Sequence, residues 1–243
     1  MRRPLGWAAA GTAAFLLGVI VRFPASWLHS MLPRAVACRE LTGTVWSGAC
    51  TTLQAEGTVL GDVRWTVRPL RLLTGKLSVE VSLSRAQGDA RARLEIGPSG
   101  TLTVRNLRAV LALDHDWLAA LPPAARGTLE ARFASLSVRR ARITGLSGEL
   151  DVRDLSMVPG QPLGAYRIAF PGAASGPPTG TLSDLGGPFA VAGTVQLTPG
   201  PGYVVTGLIA ARSSAPPDLA AQLRYLGTPD AEGRRPFSVA GTF

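Results

Sequence analysis

Lysine is almost missing from this chain: Lys76 is the only one among 25 basic residues, against 16 acidic ones, for a formal charge of +9. The arginines that carry the charge stand singly along the chain, and only Arg139-Arg140-Ala141-Arg142 comes close to a cluster. A nucleic-acid surface gathers its basic side chains on one face with aromatic platforms among them, so nucleic acid is excluded as a partner. Histidine is scarcer still, with His29 and His115 alone, and cysteine stops at Cys38 and Cys50. Two cysteines need further ligands to hold zinc, and the histidines are only His29, beside the apolar span, and His115, on a predicted short helix. Catalytic signatures are absent as well: no Gly-x-Ser-x-Gly elbow, no His-Glu-x-x-His, and no phosphate loop, since Gly75-Lys76 is followed by leucine. Asp114-His115-Asp116 is better explained by helix capping, and Ser147 by a strand or turn. No enzyme activity and no cofactor are expected.

Long apolar runs are missing too, with one exception. Between Arg3 and Arg22 lie 18 residues without charge, at the short end of what crosses a bilayer. A cleaved signal peptide wants small residues before the cut, and Phe23-Pro24-Ala25 puts phenylalanine in that place. The expectation is an uncleaved anchor: residues 1–4 as a cytoplasmic tip, 5–22 in the membrane, 23–37 juxtamembrane, and 38–243 as a periplasmic β domain. Flanking charge does not orient the span, because Arg2 and Arg3 on one side face Arg22, Arg34 and Arg39 on the other. The cysteines do. They lie twelve positions apart just beyond the span, and an oxidising compartment would join them; two buried free thiols are the alternative.

What the chain has in abundance is alternation. Val63, Trp65 and Val67 interleave with Asp62, Arg64, Thr66 and Arg68, and Leu77, Val79, Val81 and Leu83 with Lys76, Ser78, Glu80, Ser82 and Ser84. This period of two is that of antiparallel strands with one wet face. It returns at Ala90–Ile96, at Leu102 and Val104, at Leu129, Ala131 and Phe133, at Leu150 and Val152, at Tyr166, Ile168 and Phe170, and from Phe189 to Leu197. Gly-Thr pairs at Gly43, Gly57, Gly100, Gly127, Gly180, Gly193 and Gly241 mark a loose repeat. Two short helices interrupt the series. One runs over His115–Leu121, capped by Asp114 and stopped by Pro122-Pro123. The other starts at Pro216-Pro217, passes through Leu219 and Leu223, and stops at Gly227. Val158–Pro162, Pro171–Thr179 and Thr198–Gly202 read as loops. Trp46 and Trp65 read as inter-strand anchors.

Gly43-Thr44-Val45-Trp46-Ser47-Gly48, then Trp65 with Pro69-Leu70-Arg71-Leu72-Leu73-Thr74-Gly75-Lys76-Leu77, resembles the type II secretion system protein N family. Tyr225-Leu226-Gly227-Thr228-Pro229-Asp230 and Arg235-Pro236-Phe237 resemble that family's closing segment. The resemblance makes Gly43, Trp46, Gly48, Trp65, Pro69, Gly75, Gly227, Pro229 and Pro236 structural motif positions. It implies an inner-membrane component that supports export of folded proteins across the outer membrane, touching the inner-membrane platform, the pseudopilus or the secretin. A mainly β fold is expected: an N-terminal transmembrane helix, then a long twisted antiparallel sheet with two short helices, which also resembles AsmA-like proteins. That second resemblance keeps lipid handling in an apolar groove as an alternative function. The final run Phe237, Val239, Gly241 and Phe243 reads first as a strand paired within the sheet and is also a candidate edge for a partner.

Overall fold

The computed structural model describes residues 18, 22, 24–26, 36–55, 57–113, 124–140, 142–158, 161–172, 176–198, 200 and 202–242. Thirteen strands form one sheet whose order follows the chain: β1 (Val36–Gly43), β2 (Ser47–Ala55), β3 (Thr58–Val67), β4 (Leu77–Arg85), β5 (Gly88–Ile96), β6 (Leu102–Ala112), β7 (Arg126–Arg139), β8 (Arg142–Val158), β9 (Gln161–Pro171), β10 (Thr179–Asp184), β11 (Phe189–Leu197), β12 (Gly202–Ala211) and β13 (Arg235–Thr242). Every neighbouring pair is antiparallel.

The period of two sets the register. Val63, Trp65 and Val67 of β3 lie opposite Leu83, Val81 and Val79 of β4, which lie opposite Ala90, Ala92 and Leu94 of β5. Slipping any strand by one residue would turn its apolar side chains to water. Farther along, Leu146, Phe170, Val195 and Leu197 form a buried cluster, with Phe133, Leu136, Ile168, Tyr203 and Val205 packed against it. Over β7–β12, therefore, the apolar face is filled by its own side chains.

Glycine makes room on that face. The indole of Trp65 lies over Gly48, its direct partner across β2 and β3, where an added Cβ would run into the ring. The same arrangement recurs with Phe133 over Gly148, Phe170 over Gly180, Tyr203 over Gly241, and Phe237 over Gly207. A large ring lying across a cross-strand glycine covers exposed backbone and gains packing area that glycine cannot offer. Two of the repeated Gly-Thr pairs, at Gly180 and Gly241, are thus seats for aromatic rings.

Bulges bend the sheet. Thr52, Asn106 and Asp154 have left-handed φ of 56°, 51° and 51° and stand where the register of β2 with β3, β6 with β5 and β8 with β9 shifts. Such insertions increase local twist, which a sheet of this width needs. At Thr52 the left-handed backbone is costly for a β-branched residue. Its N–H donates to Asp62 Oδ1 at 2.9 Å, which holds it there.

Several expectations are corrected. The C-terminal helix is shorter than the 216–227 reading: α1 spans Pro217–Gln222 and a 3-10 turn, Leu223–Tyr225, finishes it before Gly227. The proline start holds. A second 3-10 turn, Pro69–Thr74, was not foreseen. Ser78, read as wet, is 1% exposed, because the chain turns back at Pro69–Thr74 against the start of β4 and the Arg68 N–H bonds the Ser78 carbonyl at 2.8 Å. The expected loop 158–162 shrinks because β9 already begins at Gln161. The helix expected over 115–121 lies outside the described residues, as does the anchor over 5–22 apart from Gly18 and Arg22, whose backbones are joined by an N–H to carbonyl bond of 3.1 Å. Among the described residues, no helix is long and apolar enough to cross a membrane.

Candidate functional site

Three of the N-terminal motif residues, Gly43, Gly48 and Trp65, form one lateral row, with Trp46 in the turn between β1 and β2. Gly43 stands opposite Gly48, and Gly48 opposite Trp65. The backbone of Ser47 and Gly48 comes so close to Gly43 that no side chain fits there. Trp65 Nε1 donates to the Val45 carbonyl at 3.1 Å, and the Val67 N–H to the Trp46 carbonyl at 2.6 Å, so the turn between β1 and β2 is sewn to the end of β3. Cys38 and Cys50 are joined in a disulfide with Cα atoms 5.8 Å apart. Cys50 is buried between Leu41 and Val63 in the adjoining row.

Pro69 and Gly75 bracket the first 3-10 turn. Proline sits at its first position, where a missing N–H costs nothing, and Gly75 closes it with φ 70° while bonding the Leu72 carbonyl. At the other end of the strand order, the Gly227 carbonyl accepts from Arg235 Nη1. Pro229 precedes Asp230, whose Oδ1 accepts the Glu232 and Arg234 N–H groups and whose Oδ2 accepts Arg234 Nε at 2.8 Å. Pro236 lies in β13 opposite Leu208. The motif positions thus fall into two groups near opposite edges of the sheet, and the fold does not bring them together.

The polar face holds a network that sequence reading missed. Asp151 is 1% exposed. Arg167 donates to it twice, from Nε and Nη2, each at 2.7 Å, while Arg132 and Arg153 approach within 3.9 and 3.8 Å. The Arg167 hydrogen bonds hold the Asp151 carboxyl below the usual range, against the opposing effect of burial. Arg93 and Arg68 depress Glu80 in the same way. Burial pushes Asp184 up, but hydrogen bonds from Arg212 and from the Val191 and Gly186 N–H groups override it and leave the carboxyl lowered. Arg93 reaches Glu80 and Arg167 reaches Asp151 through cross-strand register, which no local spacing reveals.

Chemically these groups are structural. Carboxylates locked in their charged form by arginine are poor proton donors. Burial raises the Tyr166 phenol, and its hydroxyl donates to the Leu163 carbonyl at 2.6 Å. Among the described residues no group of three or more His, Cys, Asp or Glu side chains could hold a metal ion; Asp114, His115 and Asp116 lie outside them. One hollow on this face is an open trough of about 420 Å³ lined by Arg64, Glu80, Arg91 and Arg93.

A single wide antiparallel sheet, stitched by a disulfide at one edge and with no further strand paired to β1 or β13 among the described residues, defines a β scaffold. The family model described as Type II secretion system (T2SS), protein N matches residues 34–238. The chain belongs to that family, whose members are components of the type II secretion apparatus. It is 24% identical over 254 residues to the Type II secretion system protein N of Vibrio cholerae serotype O1 (strain ATCC 39315 / El Tor Inaba N16961), covering 99% of each chain. No solved structure matches it, so the AsmA-like expectation has no structural counterpart.

Proposed function

We propose that this protein is a non-enzymatic component of the type II secretion system, held at the inner membrane by residues 5–22 with 1–4 cytoplasmic, 23–37 juxtamembrane and 38–243 in the periplasm. There it supports export of folded proteins across the outer membrane. The observation that carries the reading is the family match along nearly the whole chain. Three others support it. The Cys38–Cys50 disulfide fits an oxidising compartment. Pro24 bridges to Thr44 and Ala25 is 1% exposed, so a cut at the Phe23-Pro24-Ala25 site would remove residues that belong to the folded body. On the polar face, Glu80, Asp151 and Asp184 are each held in ion pairs with arginines.

Contact with the platform, the pseudopilus or the secretin runs through sheet edges. β13 pairs with β12 on one side, and its other side has no strand partner among the described residues. Val239, 52% exposed, lies along it. Such an edge accepts a strand from another chain through main-chain hydrogen bonds. Placing proline at Val239, Val239→Pro, tests this: export of a folded hydrolase should fall while the level of the protein holds. Unchanged export would remove this edge from the reading. Lipid handling is the lesser reading, because the family match favours secretion and the apolar face over β7–β12 is filled by its own side chains.

A further inference from the structure

The turn between β3 and β4 is an apolar knob held out into solvent. Leu70 is 79% and Leu73 85% exposed, in a 3-10 turn too short to bury either. Its shape is fixed from within. The Arg71 N–H bonds the Arg68 carbonyl, the Gly75 N–H bonds Leu72, and the Lys76 N–H and Thr74 Oγ1 both bond Arg71. Two leucines pinned outward in this way lose apolar contact that a floppy loop could recover by collapsing onto the sheet. Around them stand Arg68, Arg71 and Lys76, the chain's only lysine. Arg68 is paired with Glu80, whereas Arg71 and Lys76 have no carboxylate partner among the described residues.

Position in the sheet says what this knob faces. Pro24 bridges to Thr44, at the end of β1 where the chain turns into β2. That turn is bonded to Val67 at the end of β3, directly before the knob. With strands about 4.8 Å apart, the ends of β1 and β3 lie about 10 Å from each other. The uncharged run that ends at Arg22 therefore reaches the folded body at the same end of the sheet as Leu70 and Leu73.

We propose that the Pro69–Thr74 turn dips into the surface of the inner membrane, its leucines among the acyl chains and Arg71 and Lys76 on anionic headgroups. It would be a second membrane contact that holds the sheet at a fixed angle to the bilayer. Leucines that enter the headgroup boundary beside basic residues are how peripheral segments engage a bilayer. The inference rests on the anchor reading above, and the experiment separates the two.

The full chain carrying Leu73→Cys, with the native disulfide intact, is labelled with a nitroxide and reconstituted in vesicles of phosphatidylethanolamine and phosphatidylglycerol. Gln87→Cys, between β4 and β5 at the other end of the sheet, serves as control. The label at 73 should be several-fold more accessible to oxygen than to a water-soluble nickel chelate, and the label at 87 should show the reverse. The preference at 73 should weaken in phosphatidylcholine vesicles and in the Arg71→Gln/Lys76→Gln variant. Carbonate extraction of the same vesicles reads the anchor alone. Protein that resists extraction while its label at 73 stays in water overturns the proposal, leaves the anchor standing and assigns the leucines to a protein partner. Protein that is extracted, yet whose label at 73 was in lipid beforehand, supports the turn and overturns the anchor.

Discussion

Replacing Gly48 by alanine tests how this sheet is packed. An added Cβ would meet the Trp65 ring on one side and the Thr42 carbonyl on the other. The backbone at Thr42 is held by its pairing with Ala49, so the ring must move, while the contact with the Thr42 carbonyl remains as a separate cost. Overpacking of this kind costs about 1–3 kcal/mol, and displacing the indole also endangers the Nε1 bond to Val45, about 0.5–1.5 kcal/mol. Gly48→Ala alone should therefore lower stability by about 2–3 kcal/mol. Trp65→Ala alone should cost somewhat less than the 3–5 kcal/mol typical of a fully buried tryptophan, because the ring is only half-buried. The pair should not add. With the ring gone, alanine at 48 fills part of the space, and the cycle should show a favourable coupling of about 1–2 kcal/mol. Denaturant melts of the four proteins measure this. Strict additivity would mean that Trp65 does not lie over Gly48, and would refute the same reasoning for the other four ring and glycine pairs.

Other consequences follow from named contacts. Arg64→Ala, on the exposed face of β3, should shift stability by less than about 0.5 kcal/mol; a shift equal to that of Trp65→Ala would reverse the strand faces. Asp151→Asn should cost about 1.5–3 kcal/mol near neutral pH, the range of hydrogen bonds to charged groups. Because the folded carboxyl titrates below its unfolded value, that contribution is complete above about pH 3.9 and is lost as pH falls toward the depressed value. Melts of the two proteins should converge in acid, and a constant gap would contradict the assignment. Asp62→Ala should destabilise by about 1 kcal/mol by freeing the Thr52 N–H, whereas Asp62→Asn, which keeps an acceptor, should change little. Reducing the disulfide should lower stability by about 3 kcal/mol; quantitative alkylation of both thiols in protein purified without reductant would deny the bond.

Strand identity and facing were legible because burial in a one-layer sheet follows alternation directly, as at Val63, Trp65 and Val67. What stayed hidden depends on register. Nothing local says that Trp65 will meet Gly48, or that Arg167 will reach Asp151 sixteen residues away. The bulges at Thr52, Asn106 and Asp154 carry no glycine to announce a left-handed backbone. Ser78 alternates faultlessly with its neighbours, and only the turn before it takes it out of water. The motif around Pro69 and Gly75 was visible as a signature while its fold was not: nothing in its leucines announces a 3-10 turn that leaves Leu70 and Leu73 outward.

Whether the protein is a secretion component that acts by contact at the envelope is decided by deleting its gene and assaying a type II hydrolase in both medium and periplasm. Loss from the medium with accumulation of folded, active enzyme in the periplasm is the predicted result. Normal export accompanied by altered outer-membrane permeability would contradict it.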